Sequence, residues 1–225
     1  MKRYVCMMLV LLLVFSTTGI VYANAEDEET TSEAADQIDY LVLVNEENKI
    51  PDDWEEKLTL GTTTDIDGNE VQLESETLNH YLEMKKYLMD EKNWDIQILP
   101  LGAYESVEAM EDAYKKCAEM NDEEYAKELI GTPGYSESNT GLVVDIGFIR
   151  KGQKQIDKDF LLTCNLYKKV YAVLADYGFI IRYPEGKEDI TGHSFEPWHV
   201  RYVGSPEVAK EITDKGITLE EYLAK

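Results

Sequence analysis

The sequence predicts an α+β fold, a single domain in which helices pack against a mostly antiparallel sheet. Three observations support this class. Several segments carry apolar residues at helical spacing, short β-rich runs are mixed among them, and no internal repeat is present. A chain of 225 residues also suits one domain with a sizeable core.

Five segments are predicted as helices. Two of them, 75–92 and 106–130, carry apolar residues at helical spacing, and a third, 160–177, is closed by Gly178. Near the end of the chain, Ser205 and Pro206 supply an N-cap and a first-turn proline, and Thr218 to Glu221 form a capping box.

Strands are predicted between these helices. The β-rich run 39–44 is expected to begin the folded part, and further strands are predicted at 94–99, 141–148, 179–183 and 198–203. The stretch from 45 to 74 is predicted to be irregular because it carries turn signals such as Asp67-Gly68-Asn69.

Residues 1–25 are predicted to be a secretory signal peptide. A basic start is followed by the apolar run 5–15 and by the cleavage pattern Ala23-Asn24-Ala25. A membrane anchor is the alternative, but this run is short of the roughly 20 residues of a span. Residues 26–38 are acidic and polar, which indicates a flexible tether before the folded domain, 39–225. No membrane span is expected after signal cleavage.

The chain is strongly acidic. Its 22 basic and 45 acidic residues give a net charge of −23, and removal of Lys2 and Arg3 with the signal peptide makes it −25. Such a charge repels nucleic acid and anionic polymers at long range and speaks against them as general partners. The domain is expected to be a monomer.

Two cysteines remain after signal cleavage, Cys117 and Cys164, both in predicted helices. They could pair in an oxidising compartment or stay as two buried thiols. No CxxC motif is present, so no cysteine-based metal site is predicted.

Candidate chemistry lies in the run Glu196-Pro197-Trp198-His199, at the start of a predicted strand. Proline keeps the chain extended there and holds a carboxylate and an imidazole three residues apart. A zinc peptidase needs this pair, an imidazole on the metal and a free carboxylate that takes a proton from metal-bound water. The alternative is a satisfied structural Glu–His pair.

The longer run YGFIIRYPEGKEDITGHSFEPWHVRYVG, residues 177–204, closely resembles the C-terminal signature of the VanY-type D-alanyl-D-alanine carboxypeptidases and their LD-carboxypeptidase relatives. These are zinc enzymes that trim the stem peptide of peptidoglycan. The resemblance extends through PGYSESNTGLVVDIG and, more weakly, LGAYESVEAM to YLVLVNEENKIP. It implies the fold of these peptidases, an extracytoplasmic place at the cell wall, and stem peptides as partners.

The resemblance also implies roles for individual residues. Asp145 and His199 match two zinc ligands, and Glu196 matches the general base. The family's first zinc ligand is a histidine, but the matching position here is Ser138. A neutral hydroxyl is a poor substitute for imidazole, so zinc binding is expected to be weak or absent. Ser136 matches a further motif position.

A second departure lies in LGAYESVEAM, where the family has approximately S-G-Y-R-S-x-x-x-Q. Tyr104 and Ser106 match, but Glu105 replaces the arginine and Met110 the glutamine. By resemblance, that arginine helps to hold the substrate's terminal carboxylate. A carboxylate at Glu105 repels that group.

Two functions follow from these residues, an exported metallocarboxypeptidase and a pseudoenzyme that keeps the groove and binds peptides without hydrolysis. A third, resting on Glu105 alone, is recognition of a cationic substrate end. His193 could swing inward to replace the missing ligand, or it could be a solvent-exposed loop residue; His80 is expected at the surface. Among the aromatic residues, Phe179 is predicted in the core and Trp198 in a substrate groove.

Overall fold

The structure is a computed structural model that describes residues 37–155, 158–163 and 165–224. These residues form helices and antiparallel strands mixed along the chain, which confirms the predicted α+β class. The predicted signal peptide, residues 26–36 of the predicted tether and Cys164 lie outside the described residues. Within them, no helix is both long and apolar enough to cross a membrane.

The main sheet has five strands. In chain order these are β3 (Asp95–Ile98), β4 (Val143–Arg150), β5 (Gln153–Gln155), β6 (Phe179–Ile181) and β7 (His199–Tyr202). The spatial order is β3-β4-β7-β6, with β5 beside β4, and every pair is antiparallel. Strand β4 is therefore central, and its register sets Asp145 opposite His199.

The helices follow the local signals of the sequence in most places. The described helices are α1 (Trp54–Lys57), α2 (Ser75–Lys92), α3 (Val107–Met120), α4 (Glu123–Ile130), α5 (Lys158–Thr163), α6 (Asn165–Leu174), α7 (Glu188–Thr191), α8 (Pro206–Lys215) and α9 (Leu219–Leu223). Helix α2 has the predicted bounds, Ser205 caps α8, and the capping box of α9 is confirmed.

Four predictions of secondary structure are wrong. Residues 39–44 form no strand, and the stretch predicted as irregular contains the hairpin of β1 (Leu60–Thr64) and β2 (Glu70–Glu74). The predicted helix 106–130 is two helices, because Asp122 caps a new one by accepting a hydrogen bond from the amide of Tyr125. The predicted helix 160–177 is divided into α5, α6 and a 3₁₀ turn.

The largest core cluster lies where α2 and α6 cover the sheet. It includes Met84 and Leu88 of α2, Val170 of α6, and Phe148 of β4, each with at most 1% of its surface exposed. Helical spacing puts the apolar residues of each helix on the face that meets the sheet. This core supports the strand that carries Asp145.

A buried ion cluster ties the rest of the chain to this sheet. Glu137, in a 3₁₀ turn before β4, accepts hydrogen bonds from Arg182 Nε at 2.7 Å and Arg201 Nη1 at 2.8 Å. Both arginines are fully buried. Arg182 also pairs with Glu220 of α9 at 2.6 Å, and Arg201 donates to the carbonyls of residues 40 and 42. Segments far apart in sequence therefore meet at one carboxylate.

We expect Glu137→Gln to lower the free energy of unfolding by about 3–5 kcal/mol, because it leaves two buried guanidinium groups without their shared negative charge. Urea denaturation measures the loss. The matched control is Glu128→Gln on α4, where the side chain is exposed and the same change should cost little. A loss below about 1 kcal/mol at Glu137 would contradict the structural role of the cluster.

Candidate functional site

The centre of the candidate site is the pair of Asp145 and His199 on neighbouring strands. His199 Nδ1 lies 2.7 Å from Asp145 Oδ1, within hydrogen-bonding distance. Gly102 lies against the same carboxylate, since a Cβ atom at this glycine would be 2.5 Å from Asp145 Cβ. A side chain at position 102 would therefore displace Asp145.

The imidazole of His199 is held between two carboxylates. Its Nε2 atom lies 3.7 Å from Glu137 Oε2, and both of these buried atoms lack a hydrogen-bond partner among the described residues. Burial alone would lower the pKa of His199, but the charge of Asp145, the hydrogen bond to it and the nearby Glu137 raise that pKa to about 10. Asp145 is therefore the main contact that favours the charged form of His199.

This arrangement does not fit a catalytic zinc ion with three protein ligands. A catalytic zinc ion usually takes three protein donors and one water. Asp145 and His199 supply two, and their mutual hydrogen bond occupies both of them here. The described residues contain no group of three His, Cys, Asp or Glu side chains that could hold an ion.

Ser138, which is predicted to stand at the position of the family's first ligand, lies in the 3₁₀ turn of residues 137–140 and is partly buried. Its amide donates to Ser136 Oγ at 3.3 Å, and its carbonyl accepts from the amide of Glu105 at 3.2 Å. The turn is thus held next to the segment that carries Glu105. That the Ser138 hydroxyl takes the place of the first ligand stays a prediction.

A cavity of about 470 Å³ opens beside His199. Ser136, Glu196 and His199 line it, so three of the predicted site residues come together there. His193 and Tyr183 line it as well. Charged side chains of α4 and of the loop before α1 complete the wall, namely Lys127, Glu128 and Glu46.

His193 is neither a solvent-exposed loop residue nor a partner of the Asp145–His199 pair. Its ring stacks on that of Tyr183 at 4.2 Å, and Tyr183 stacks in turn on His199 at 5.0 Å. Burial and the neighbouring charge of His199 lower the pKa of His193. His80 is likewise half-buried, since its ring lies 4.8 Å from that of Tyr202.

The predicted substrate clamp lies outside this cavity. Tyr104 and Glu105 line a different cavity of about 360 Å³. The hydroxyl of Tyr104 donates to Glu55 at 3.0 Å, and Ser106 Oγ caps α3 by accepting from the amide of Ala109. The structure therefore gives Tyr104 and Ser106 structural contacts, and the cavity that Tyr104 and Glu105 line is not the one that Glu196 lines.

Trp198 does not line the groove as predicted. It is only 7% exposed and belongs to the largest core cluster. The strand that positions His199 turns the neighbouring Trp198 toward the core, as alternation along a strand requires. Phe179, predicted in the core, is fully buried.

The residues that the sequence analysis missed are Glu137, Arg182 and Arg201. The sequence did carry a signal for the two arginines, since each follows apolar residues in a predicted strand: Arg182 in FIIRY and Arg201 in HVRYV. A buried arginine requires a carboxylate partner.

Comparison with known proteins gives the same fold and family. Residues 70–205 match the family described as VanY, D-alanyl-D-alanine carboxypeptidase. A D-alanyl-D-alanine carboxypeptidase of Enterococcus faecalis is 33% identical over 227 residues, which cover 92% of this chain and 75% of that protein.

Two solved structures are similar over most of this chain. One is the LD-carboxypeptidase LdcB, whose structure is described as revealing the basis of peptidoglycan recognition. LdcB is 30% identical to this chain with a TM-score of 0.67, and the match covers 83% of this chain and 86% of LdcB. A mutant of the vancomycin-resistance D,D-pentapeptidase VanY in complex with Zn(II) is 27% identical with a TM-score of 0.59, over 82% of this chain and 98% of VanY. The chain belongs to the VanY family of D-alanyl-D-alanine carboxypeptidases.

Proposed function

We propose that this protein is an exported cell-wall member of the family that binds peptidoglycan stem peptides and has lost or weakened hydrolysis. One observation carries the proposal. Only two of the family's three metal-binding positions hold strong donors, namely Asp145 and His199. The side chains of these two residues are hydrogen-bonded to each other. The third position is Ser138.

Peptide binding is supported by the cavity beside His199 and by the relatives. Ser136 and Glu196 line this cavity with His199, so a stem peptide placed there would meet the carboxylate and the imidazole of the E-P-W-H motif. Stem peptides are the class on which the family acts, and LdcB is described in terms of peptidoglycan recognition.

Weak hydrolysis is supported by the same residues. Glu196 is the proposed general base, and a general base of this kind takes a proton from a water molecule that a zinc ion activates. The described residues contain no group of three His, Cys, Asp or Glu side chains that could hold such an ion. Glu105 in place of a clamp arginine adds repulsion toward a terminal carboxylate. Loss of a buried charge-assisted contact of this kind costs roughly 2–5 kcal/mol.

The alternative is an active metallocarboxypeptidase that removes a terminal D-alanine from stem peptides. Retention of Asp145, Glu196 and His199 within one region favours it. The signal-like residues 1–25 support export in either case, and we propose that the exported protein acts as a monomer near the wall.

The first test measures the wild-type protein. After dialysis against micromolar zinc, we expect well below one zinc ion per chain, and we expect the metal-supplemented protein to release no D-alanine from a pentapeptide stem. Calorimetric titration with the same peptide, in the presence of a chelator, should still detect binding. Rapid release of D-alanine would overturn the pseudoenzyme proposal, and absence of peptide binding would overturn the binding proposal.

The second test restores the missing donor. Ser138→His should raise the zinc content to about one ion per chain, since Asp145 and His199 already supply two of the three ligands. Zinc should then also raise the melting temperature, because an ion that binds only the folded state stabilises it. Ser136→His is the matched control in the same turn and should not gain tight binding. Equal zinc uptake by both variants would contradict the assignment of position 138.

The third test combines the donor with the clamp. Ser138→His alone should restore little turnover, because Glu105 still repels the substrate carboxylate. Adding Glu105→Arg should raise the rate of D-alanine release more than the two single changes predict together, since metal binding and substrate orientation serve one transition state. Additive effects would overturn the assignment of position 105 to the substrate clamp.

A further inference from the structure

The cavity beside His199 has a charged rim. The rim consists of Glu46, in the loop before α1, and of Lys127 and Glu128 in α4. These three side chains are exposed, whereas His199, in the same lining, is buried. A peptide that reaches His199 from solvent therefore lies against the rim, and the charges of the rim act on its side chains.

Ordered backbone carries these charges. The side chain of Asn45 accepts a hydrogen bond from the amide of Asn48 at 2.9 Å and closes the turn that carries Glu46. The amide of Ile50 donates to the carbonyl of Gly134 at 2.8 Å, which ties this loop to the segment that leads into the candidate site. Helix α4 is capped at its start, as described above. Both sides of the rim are thus held in place.

The rim has more negative than positive charge, and its one ion pair is loose. Lys127 Nζ lies 3.8 Å from Glu46 Oε1, which is longer than a hydrogen bond, and the two side chains are 58% and 71% exposed. Exposed ion pairs of this kind add little stability. Glu128 forms no ion pair within the described part of the chain. Two carboxylates therefore share one weakly held ammonium group.

Two polar atoms deeper in the same lining also lack partners. They are Glu137 Oε2 and His199 Nε2, in residues that are 3% and 9% exposed, and neither atom has a hydrogen-bond partner among the described residues. Buried polar atoms in folded proteins are nearly always hydrogen-bonded. The oxygen of Glu137 needs a donor, so an occupant that brings N–H groups supplies what this lining lacks.

We propose that the rim recognises a primary ammonium group of the bound peptide through Glu46 and Glu128, and that Lys127 competes for the same carboxylates. This inference rests on the proposed function, because it concerns the peptide that the cavity beside His199 binds. An ammonium group has three donors and a charge opposite to that of both carboxylates. The peptide would lie with a cationic side chain at the rim and its backbone beside Glu196 and His199.

The charge of the whole chain acts in the same direction. Its net charge of −23 attracts a cationic peptide and repels an anionic one. A peptide whose only charged group is a carboxylate would meet Lys127, but also Glu46 and Glu128. Burial and the nearby charge of His199 lower the pKa of His193, so its ring adds little positive charge to the cavity at neutral pH. The lining thus favours a cation.

The experiment compares three peptides by calorimetric titration at 0.15 M salt with a chelator present. The first is a pentapeptide stem with one lysine, the second carries the same lysine acetylated, and the third carries norleucine instead. We expect the lysine peptide to bind about fivefold more tightly than the other two. This preference should shrink at 0.5 M salt, because salt screens exposed charges.

The outcomes separate this inference from the proposed function. Equal binding of the three peptides overturns the recognition of an ammonium group and leaves peptide binding intact. Absence of binding by all three overturns both. A lysine preference that is unchanged at 0.5 M salt also overturns the inference, because exposed carboxylates cannot then be its source.

Glutamine variants locate the contact. Glu46→Gln and Glu128→Gln should each reduce the lysine preference about twofold and leave the affinity for the acetylated peptide unchanged. Glu47→Gln and Glu124→Gln are the matched controls, because they make the same change of net charge at exposed neighbours that do not line the cavity. Equal losses in the control variants would assign the preference to net charge and overturn the inference.

A lysine variant tests the competition. Lys127→Met should strengthen binding of the lysine peptide about twofold, because it removes the ammonium group that competes for Glu46, and methionine keeps a good helix former in α4. Lys116→Met is the control, at an exposed position of α3 outside the cavity lining. Circular dichroism checks that the variants fold. Weaker or unchanged binding by Lys127→Met, or an equal gain by Lys116→Met, overturns the competition.

Discussion

The carboxylate of Glu137 is the interaction on which the rest of this structure depends. It meets Arg182 beside β6 and Arg201 of β7, and it lies 3.7 Å from His199. Through these arginines it also reaches α9 and the first described segment of the chain. Because Glu137 is adjacent to Ser138, the same contacts fix the turn of Ser138 relative to the strand of His199. The buried charges thus hold the scaffold of the site.

Charge balance explains how such a site remains compatible with folding. Three carboxylates and three cations meet in the network when His199 is protonated, namely Asp145, Glu137 and Glu220 with His199, Arg182 and Arg201. The charge of Asp145 raises the pKa of His199 against the effect of burial. A buried charge without a partner would be costly. Each buried charge of this network therefore has a partner of opposite sign.

The parts of the fold that could be predicted from sequence are those set by local chemistry. Helix α2 follows from apolar spacing, and α8 and α9 follow from Ser205 and Thr218, whose side chains satisfy amides of the first turn. The β1–β2 hairpin was missed because a two-stranded pair depends on contacts that its own sequence does not reveal. The break at Asp122 was missed because a long apolar pattern continued across it, although aspartate is a strong N-cap.

The candidate site shows the same limit. The resemblance named Asp145 and His199, and strand register brings them within 2.7 Å, but neither motif indicates that a proton joins them. Trp198 was assigned to the groove because it stands beside the motif histidine, yet neighbours along a strand face opposite sides. Glu137 was overlooked because its role depends on two arginines that are 45 and 64 residues away. Sequence motifs identify which donors a family uses, whereas the protonation and burial that decide their chemistry arise from long-range contacts.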